Sequence, residues 1–277
     1  MKTAYLAAAG ACALFTAIAG QASAQDWSGP YVGGFAGYSV VDTEEGQSFV
    51  FDKNQDGNFN DTVLTAASVN AFGPGFCDGS PNGNNAGAGC KDDKDDTGEV
   101  GLRAGYDMQF GSFVAGIVGD FGTGSGEDSV TAFSTTPANY SFERELEHLA
   151  AVRLRLGYAV GPYLPYITGG YANGRLQSTF SSSNGMNSFT PKVIEEDIDG
   201  YQAGAGIETL VGSNVSVGLE YMYTSLDDDT NHVVRVGPGT AGPTNPFLIA
   251  NATGTDLRQT GEDFDIHAVR LTATLRF

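Results

Sequence analysis

The run Glu99-Val100-Gly101-Leu102-Arg103-Ala104-Gly105-Tyr106-Asp107-Met108-Gln109-Phe110 alternates between two kinds of side chain. Every second position is apolar, from Val100 to Phe110, and the positions between carry glycine, charge or amide. Because successive side chains of a β-strand point to opposite faces, this period of two predicts a strand with one apolar and one polar face. Strands of soluble β-sandwiches have the same pattern, so this run alone does not distinguish a sandwich from a membrane barrel.

The same scheme recurs along the chain. It is clear in residues 146–158, 215–224 and 264–277, and weaker in residues 31–41, 113–121, 164–176 and 200–210. The sequence therefore predicts about eight strands, an even number of the kind that bacterial barrels have. For the strand from Leu164 the facing stays open, because Tyr166 and Thr168 compete equally with Ile167 and Tyr171.

The connections between these strands alternate in length. Gly111-Ser112, Val160-Gly161-Pro162 and Gly212-Ser213 are short, whereas residues 42–98, 122–144, 177–199 and 225–263 are long and mostly polar. This arrangement predicts an all-β fold, an antiparallel transmembrane β-barrel with short periplasmic turns and long extracellular loops. The tyrosines expected in aromatic girdles at the membrane surfaces are Tyr38, Tyr106, Tyr158, Tyr166, Tyr221 and Tyr223.

The N-terminus has the features of an export signal. Lys2 precedes an apolar run from Ala4 to Ala19, and Ala22-Ser23-Ala24 follows as a small-x-small cleavage site. These features predict a signal peptide over residues 1–24 and a barrel domain over residues 25–277. A retained N-terminal anchor is the alternative, but the apolar run is short for a membrane-spanning helix.

Charge and cysteine content narrow the classes further. The chain has 14 Lys and Arg against 33 Asp and Glu, a net charge of −19, which excludes nucleic acid as an expected partner. Export delivers Cys77 and Cys90 to a compartment that permits disulfides, so we expect them to pair. Two free thiols are the alternative, since spacing does not establish geometry.

Several short motifs together resemble a known family. They are Trp27-Ser28-Gly29-Pro30-Tyr31-Val32-Gly33-Gly34, Gly105-Tyr106-Asp107-Met108-Gln109, Gly119-Asp120-Phe121, Arg155-Leu156-Gly157-Tyr158, Pro165-Tyr166-Ile167-Thr168-Gly169-Gly170, Glu220-Tyr221-Met222-Tyr223 and Leu275-Arg276-Phe277. The chain resembles the small, porin-like outer-membrane β-barrel family of α-proteobacteria, whose fold is related to the OmpA transmembrane domain. The resemblance departs at Val118, where the family usually carries an acidic residue.

The resemblance implies a function and a set of partners. It implies a structural or surface-interaction protein of the bacterial outer membrane, with loops at the cell surface and no shared catalytic residues; a low-conductance diffusion porin is the alternative. The expected partners are outer-membrane lipid and lipopolysaccharide, the barrel-assembly machinery and periplasmic chaperones, and the external ligand is unknown. The aromatic C-terminus, with Leu271, Leu275 and Phe277 on the apolar face, resembles an outer-membrane assembly signal.

The first long loop contains a partial calcium motif. Asp52, Asn54, Asp56 and Asp61 supply oxygens around Gly57, which matches the first half of a calcium-binding loop. Val63 stands where such a loop places its bidentate glutamate, so the coordination sphere is incomplete unless Asp61 or a remote acid substitutes. A solvated acidic loop is therefore the preferred interpretation and a calcium site is the alternative; no other cofactor is expected.

An enzymatic function would need a geometry that the sequence does not indicate. The three histidines are His148 and His267, which should face lipid near the outer rim, and His232, which lies in a loop. None has an evident serine or carboxylate partner at a fixed spacing, so we do not expect an enzyme.

The polar strand faces predict an ion network in the lumen. When residues are counted from each short turn or from the C-terminus, one layer near mid-barrel contains Arg103, Asp120, Arg153, Glu220 and Arg270. A second, lower layer contains Asp107, Arg155 and Glu208. A barrel of about eight strands has an interior that side chains fill, so paired charges should close it; a water-filled pore lined by unpaired charges is the alternative.

Overall fold

A computed structural model of the chain describes residues 26–42, 46–91, 97–124, 126–228, 232–261 and 263–277. The predicted signal peptide over residues 1–24 lies outside the described residues and stays a prediction. Within the described residues no helix is long and apolar enough to cross a membrane. The strands are β1 Gly29–Asp42, β2 Phe49–Asp52, β3 Gly75–Asp78, β4 Thr97–Phe110, β5 Phe113–Gly124, β6 Glu127–Phe133, β7 Asn139–Tyr158, β8 Tyr163–Ser182, β9 Ser188–Pro191, β10 Glu195–Leu210, β11 Val215–Asp227, β12 Val234–Gly237, β13 Thr255–Gln259 and β14 Asp263–Arg276, with a short 3-10 helix at Ala86–Ala88.

Eight of these strands form a closed antiparallel barrel, which confirms the predicted fold. Their hydrogen-bonded order is β7-β5-β4-β1-β14-β11-β10-β8, and β7 also pairs with β8 to close the ring. Closure satisfies the backbone groups of every barrel strand, as a membrane requires. Three turns lie at one end, which we call the short-turn end, and positive φ angles at Gly111, Gly161 and Gly212 allow the chain to reverse there.

The outer wall of the barrel carries the apolar stripes that the alternation predicts. On β14, Val269, Leu271 and Leu275 are exposed, whereas Arg270, Thr272, Thr274 and Arg276 are buried. The same division holds on β4, where Leu102 is 71% exposed and Arg103 only 3%. The alternating pattern therefore reports the facing correctly along these strands.

The structure shows the facing of the strand from Leu164, which the sequence left undecided. Leu164, Tyr166 and Thr168 point into the lumen, and Ile167 and Tyr171 are exposed outside. The expectation that Tyr166 belongs to an aromatic girdle is therefore wrong. The Tyr166 ring is buried in the lumen, where its hydroxyl donates a hydrogen bond to Glu220 at 2.6 Å.

Glycines on the inner face make room for aromatic rings. A Cβ at Gly105 would lie 2.3 Å from the ring of Tyr31 and 2.6 Å from the carbonyl oxygen of Ile117. A Cβ at Gly101 would likewise lie 2.3 Å from the ring of Phe35. The rings of Tyr31 and Phe35 thus lie directly against the backbone of glycines. A larger residue in place of either glycine would displace the ring.

The other end of the barrel carries a folded head instead of separate polar loops. There β2, β13, β12 and β9 form a four-stranded sheet, and β3 and β6 extend the sheet beside β7. These elements enclose one apolar core, so the expectation that residues 42–98, 122–144, 177–199 and 225–263 are simply polar loops is wrong. The head core consists of Phe49, Phe51, Val63, Ala71, Phe72, Val130, Ala132, Ala138, Tyr140, Phe142, Val234, Val236, Phe247 and Leu257.

The glycine and ring packing generates the first prediction. Gly105→Ala should destabilise the barrel by roughly 1–3 kcal/mol, the usual cost of overpacking. Gly98→Ala on the same strand is the matched control, because a Cβ there meets nothing within 4 Å. Urea unfolding of the refolded protein in detergent measures both changes, and equal unfolding midpoints would contradict the packing described for Tyr31.

Candidate functional site

The lumen contains a set of buried ion pairs near mid-barrel, which we call the middle network. Arg103 donates to Asp120 through Nε at 2.9 Å and Nη2 at 3.0 Å, and its Nη2 also donates to Glu220 at 2.8 Å. Arg153 contacts Asp120 and lies 3.4 Å from Glu220. Arg270 lies 3.7 Å from Asp120. The structure thus brings together the five residues expected in one layer.

One member of the middle network was not among the expected residues. Glu99 accepts two hydrogen bonds from Arg270, one from Nε at 2.7 Å and one from Nη2 at 2.9 Å. With Glu99 included, three arginines face three carboxylates, so the network is formally neutral. Its place on the polar face of β4 was a signal that could have identified it. The network therefore consists of Glu99, Arg103, Asp120, Arg153, Glu220 and Arg270.

A second set of ion pairs, the lower network, lies toward the short-turn end. Arg155 Nη1 lies 3.0 Å from Glu208 Oε1 and 3.7 Å from Asp107 Oδ2. Arg276, which was not among the residues expected in either layer, contacts Asp107 and lies 3.6 Å from Glu208. Two arginines therefore face two carboxylates, Asp107 and Glu208, and this network is also formally neutral.

Aromatic rings cover the charged groups. The Arg155 guanidinium lies 3.9 Å from the ring centre of Tyr166, and the Arg276 guanidinium lies 4.7 Å from that of Tyr31. Such contacts stabilise a cation that has left water. They also fill the space beside each arginine, so the rings and the ion pairs occupy the lumen together.

Val118 stands where related chains are expected to carry an acidic residue. It is 3% exposed, faces the lumen and lies opposite Arg153 in the register of β5 and β7. Arg153 turns instead to Asp120 and Glu220. Arg153 is therefore paired even though Val118 replaces the expected acidic residue.

Apolar layers lie on both sides of the two networks. Toward the short-turn end, Trp27 is fully buried with Val114 and Leu164, and its carbonyl accepts a hydrogen bond from Arg276 at 2.7 Å. Toward the head, an upper apolar layer consists of Val41, Leu146, Ala151, Ala172, Leu176, Ile198, Leu226, Phe264 and Ile266. Between that layer and the middle network lies a cavity of about 20 Å³, enough for about one water molecule.

A third buried ion cluster joins the barrel to the head. Arg144 contacts Asp128 and donates from Nη1 to Asp228 at 2.9 Å. His232 Nε2 lies 3.5 Å from Asp228 Oδ1, although no carboxylate partner was expected for this histidine. In the head itself, burial raises the pKa of Asp256, but hydrogen bonds from Arg235 and Lys192 outweigh burial and hold that pKa below its ordinary value.

The partial calcium motif uses its oxygens within its own loop. Asp52 accepts hydrogen bonds from the backbone of Asp56 at 3.1 Å and of Gly57 at 2.7 Å, and Asp61 accepts one from the backbone of Lys53 at 2.9 Å. Asn54 donates its side-chain amide to Asp56 at 3.0 Å. In the described ranges there is no group of three or more His, Cys, Asp or Glu side chains that could hold a metal ion. Calcium binding at this loop stays a prediction.

The two exported cysteines lie in the head. Cys77 on β3 is joined to Cys90 by a disulfide, with the Cα atoms 6.1 Å apart. The bond closes the segment that carries the short 3-10 helix Ala86–Ala88. It ties this segment to the edge strand β3, which pairs on its other side with β6.

Comparison with known proteins identifies the class. The model of the outer membrane protein beta-barrel domain matches residues 9–240. The chain belongs to this family of outer-membrane β-barrel proteins and is located in the bacterial outer membrane. The resemblance inferred from the short motifs is thereby confirmed.

Individual relatives match part of the chain. A 31 kDa outer-membrane immunogenic protein of Brucella melitensis is 31% identical over 156 residues, covering 50% of this chain and 63% of that protein. A 22 kDa outer membrane protein of Rhizobium leguminosarum is 33% identical over 121 residues, covering 43% of this chain and 48% of that protein. The matches thus span about half to slightly under two thirds of the length of these relatives.

Two solved structures show similarity at low sequence identity. The outer membrane protein OprG from Pseudomonas aeruginosa has a TM-score of 0.45 and 11% identity, covering 90% of this chain and 97% of that one. The attachment invasion locus protein Ail of Yersinia pestis has a TM-score of 0.34 and 13% identity, covering 90% and 99%.

The middle network generates the second prediction. Arg103→Ala or Glu220→Ala should each destabilise the barrel by about 3–5 kcal/mol, because each leaves a buried charge without its partner. Arg175→Ala is the matched control: its contacts with Glu195 and Glu147 are on the surface, where such pairs contribute at most about 1 kcal/mol. Urea unfolding in detergent measures all three, and a loss at Arg103 no larger than that at Arg175 would contradict the network.

Proposed function

We propose that this protein is a structural outer-membrane barrel that displays its folded head at the cell surface and whose lumen is closed to hydrated solutes. The observation that carries the proposal is that the ion pairs cross the lumen. Arg103 on β4 reaches Glu220 on β11, and two other strands, β1 and β14, lie between them in the barrel order. A contact across the barrel interior leaves less open space than charges that each line the wall separately.

The order of layers along the barrel axis supports the same function. From the short-turn end, the lumen contains the layer around Trp27, the lower network, the middle network and the upper apolar layer. A hydrated ion would have to break neutral, buried ion pairs and then cross apolar side chains, neither of which replaces its water. Above these layers the head adds its own core.

The lumen generates the third prediction. The refolded parent protein should show little or no steady conductance in planar bilayers, because two neutral networks and two apolar layers fill its interior. Arg103→Ala combined with Glu220→Ala removes the cross-lumen pair and serves as the comparison. Stable channels in the parent would support the diffusion porin instead, and the closed-lumen proposal would be abandoned.

We infer further that the protein is not an enzyme. His148 packs near the ring of Phe121, His232 lies beside Asp228, and His267 accepts or donates a hydrogen bond with Tyr221. These three histidines have different neighbours, so they do not form a common site. Cleavage of lipopolysaccharide or of a peptide library by the purified protein would contradict this inference.

Assembly generates the fourth prediction. We propose that the barrel-assembly machinery and periplasmic chaperones recognise the C-terminal strand, where Leu271, Leu275 and Phe277 are exposed on the outer wall. Deleting Phe277 should reduce the fraction of heat-modifiable, folded barrel in outer-membrane preparations. Phe277→Tyr keeps an aromatic C-terminus and is the control. Equal assembly of the deletion and the parent would refute this role of Phe277.

A further inference from the structure

Four rings form a continuous ladder on the outer wall of the barrel, near its head end. The ring centres of Tyr201 and Tyr223 are 6.0 Å apart, those of Tyr223 and His267 5.1 Å, and those of His267 and Tyr221 6.1 Å. Tyr221 and His267 also share a hydrogen bond of 2.7 Å between Oη and Nδ1. We call these four residues, on β10, β11 and β14, the ring ladder.

A row of carboxylates lies beside the ring ladder, on its head side. Asp42 on β1 pairs in register with Asp265 on β14, and Asp227 on β11 pairs with both Asp263 and Asp199. Like charges directly opposite each other on neighbouring strands are destabilising. Of these five residues, which we call the carboxylate row, all but the half-buried Asp265 are exposed.

The four strands that carry these residues offer no outward-facing lysine or arginine. Their only arginines are Arg270 and Arg276 on β14, and both point into the lumen. His267 lies 4.0 Å from Asp42, and it is the only other basic side chain on these strands. The surface is therefore negative and aromatic, which disfavours direct contact with a phosphate group and complements a cation.

The wall continues as an apolar surface on the side away from the head. Leu219, Val269 and Leu271 are each about half exposed or more, at 49%, 50% and 66%. In an outer-membrane protein this part of the wall contacts lipid chains. A molecule that contacts both regions needs a hydrocarbon chain against the apolar wall. It also needs a polar group, at the head side of that chain, that can bind to aromatic rings and carboxylates.

We propose that the ring ladder and the carboxylate row bind the cationic headgroup, an amine or quaternary ammonium, of a membrane lipid. Aromatic faces attract ammonium groups through their quadrupole, and nearby carboxylates neutralise the charge. The bound cation would also relieve the repulsion between Asp42 and Asp265 and between Asp227 and its two neighbours. This proposal rests on the outer-membrane location of the barrel and not on the closed lumen.

Titration of the refolded protein in dodecyl maltoside micelles with dodecyltrimethylammonium tests the proposal, with backbone amide NMR shifts as the readout. The shifts should saturate and centre on Tyr221, Tyr223 and His267. Tyr223→Leu, which keeps every carboxylate, should weaken binding roughly two- to fivefold, as the loss of one exposed cation–π contact implies. Asp42→Asn combined with Asp265→Asn should also weaken it.

Matched controls separate this site from general attraction to an acidic protein. Tyr158→Leu removes an exposed ring at the opposite end of the barrel and should leave binding unchanged. Tetramethylammonium, which has the charge but no chain, should bind much more weakly at equal concentration. Heat-modifiable mobility on gels confirms that each variant is folded, so that a loss of binding is not a loss of the barrel.

Three results would overturn the proposal. Shifts spread over the acidic surface and unchanged by Tyr223→Leu would indicate non-specific attraction. Equal binding of tetramethylammonium would indicate a site for a soluble cation instead of a lipid headgroup. Displacement by Mg²⁺ at the carboxylate row, with Tyr223→Leu behaving as the parent, would indicate a divalent cation site. None of these results bears on conductance through the lumen.

Discussion

The hydrocarbon core of a membrane offers no hydrogen-bond partner to a peptide group, and the architecture of this protein follows from that constraint. The pairing of β7 with β8 closes the ring and leaves no barrel strand with a free edge in the membrane. Closing at eight strands fixes a narrow interior, just wide enough for side chains to fill. The side chains in the lumen must therefore fit a narrow space as well as satisfy one another's charges.

Charged side chains fill this interior at a desolvation cost that their pairing reduces. A guanidinium taken out of water costs several kcal/mol, which only good geometry and partner hydrogen bonds recover. Arg103 meets this condition by forming hydrogen bonds with two carboxylates, Asp120 and Glu220. The separate neutrality of the two networks means that neither has to compensate for a net charge in the other. The rings of Tyr31 and Phe35 pack beside these charges, over glycines of the inner face.

The strand alternation made the facing of most barrel residues predictable, because a period of two reports directly which side chains share a face. Arg103 and Glu220 were expected in one layer for this reason. Counting along strands does not report which partner a long side chain selects, so the pairing of Arg270 with Glu99 was missed. Tyr166 was misassigned because tyrosine suits both a membrane surface and a lumen.

The head was missed for a different physical reason. Its core combines Phe49 and Phe72 from the connection between β1 and β4, Tyr140 from the head end of β7, and Phe247 from the connection between β11 and β14. Each connection alone is mostly polar and has at most a few alternating apolar residues, such as Tyr140 and Phe142, so no strand was predicted there. Only the barrel, by holding the ends of these segments close together, makes their scattered aromatic residues neighbours.

This shared core has a consequence for how the surface of the protein can change. Replacing a segment that supplies Phe72 or Phe247 would disturb the packing of the other segments in the head core. Sequence changes in one of these connections therefore require matching changes in the others. The segment between Cys77 and Cys90 is an exception, because no residue from 81 to 90 is buried and its ends are fixed by the disulfide. Foreign epitopes grafted there would be displayed at the cell surface with the rest of the head intact, as exposed loop tips usually allow.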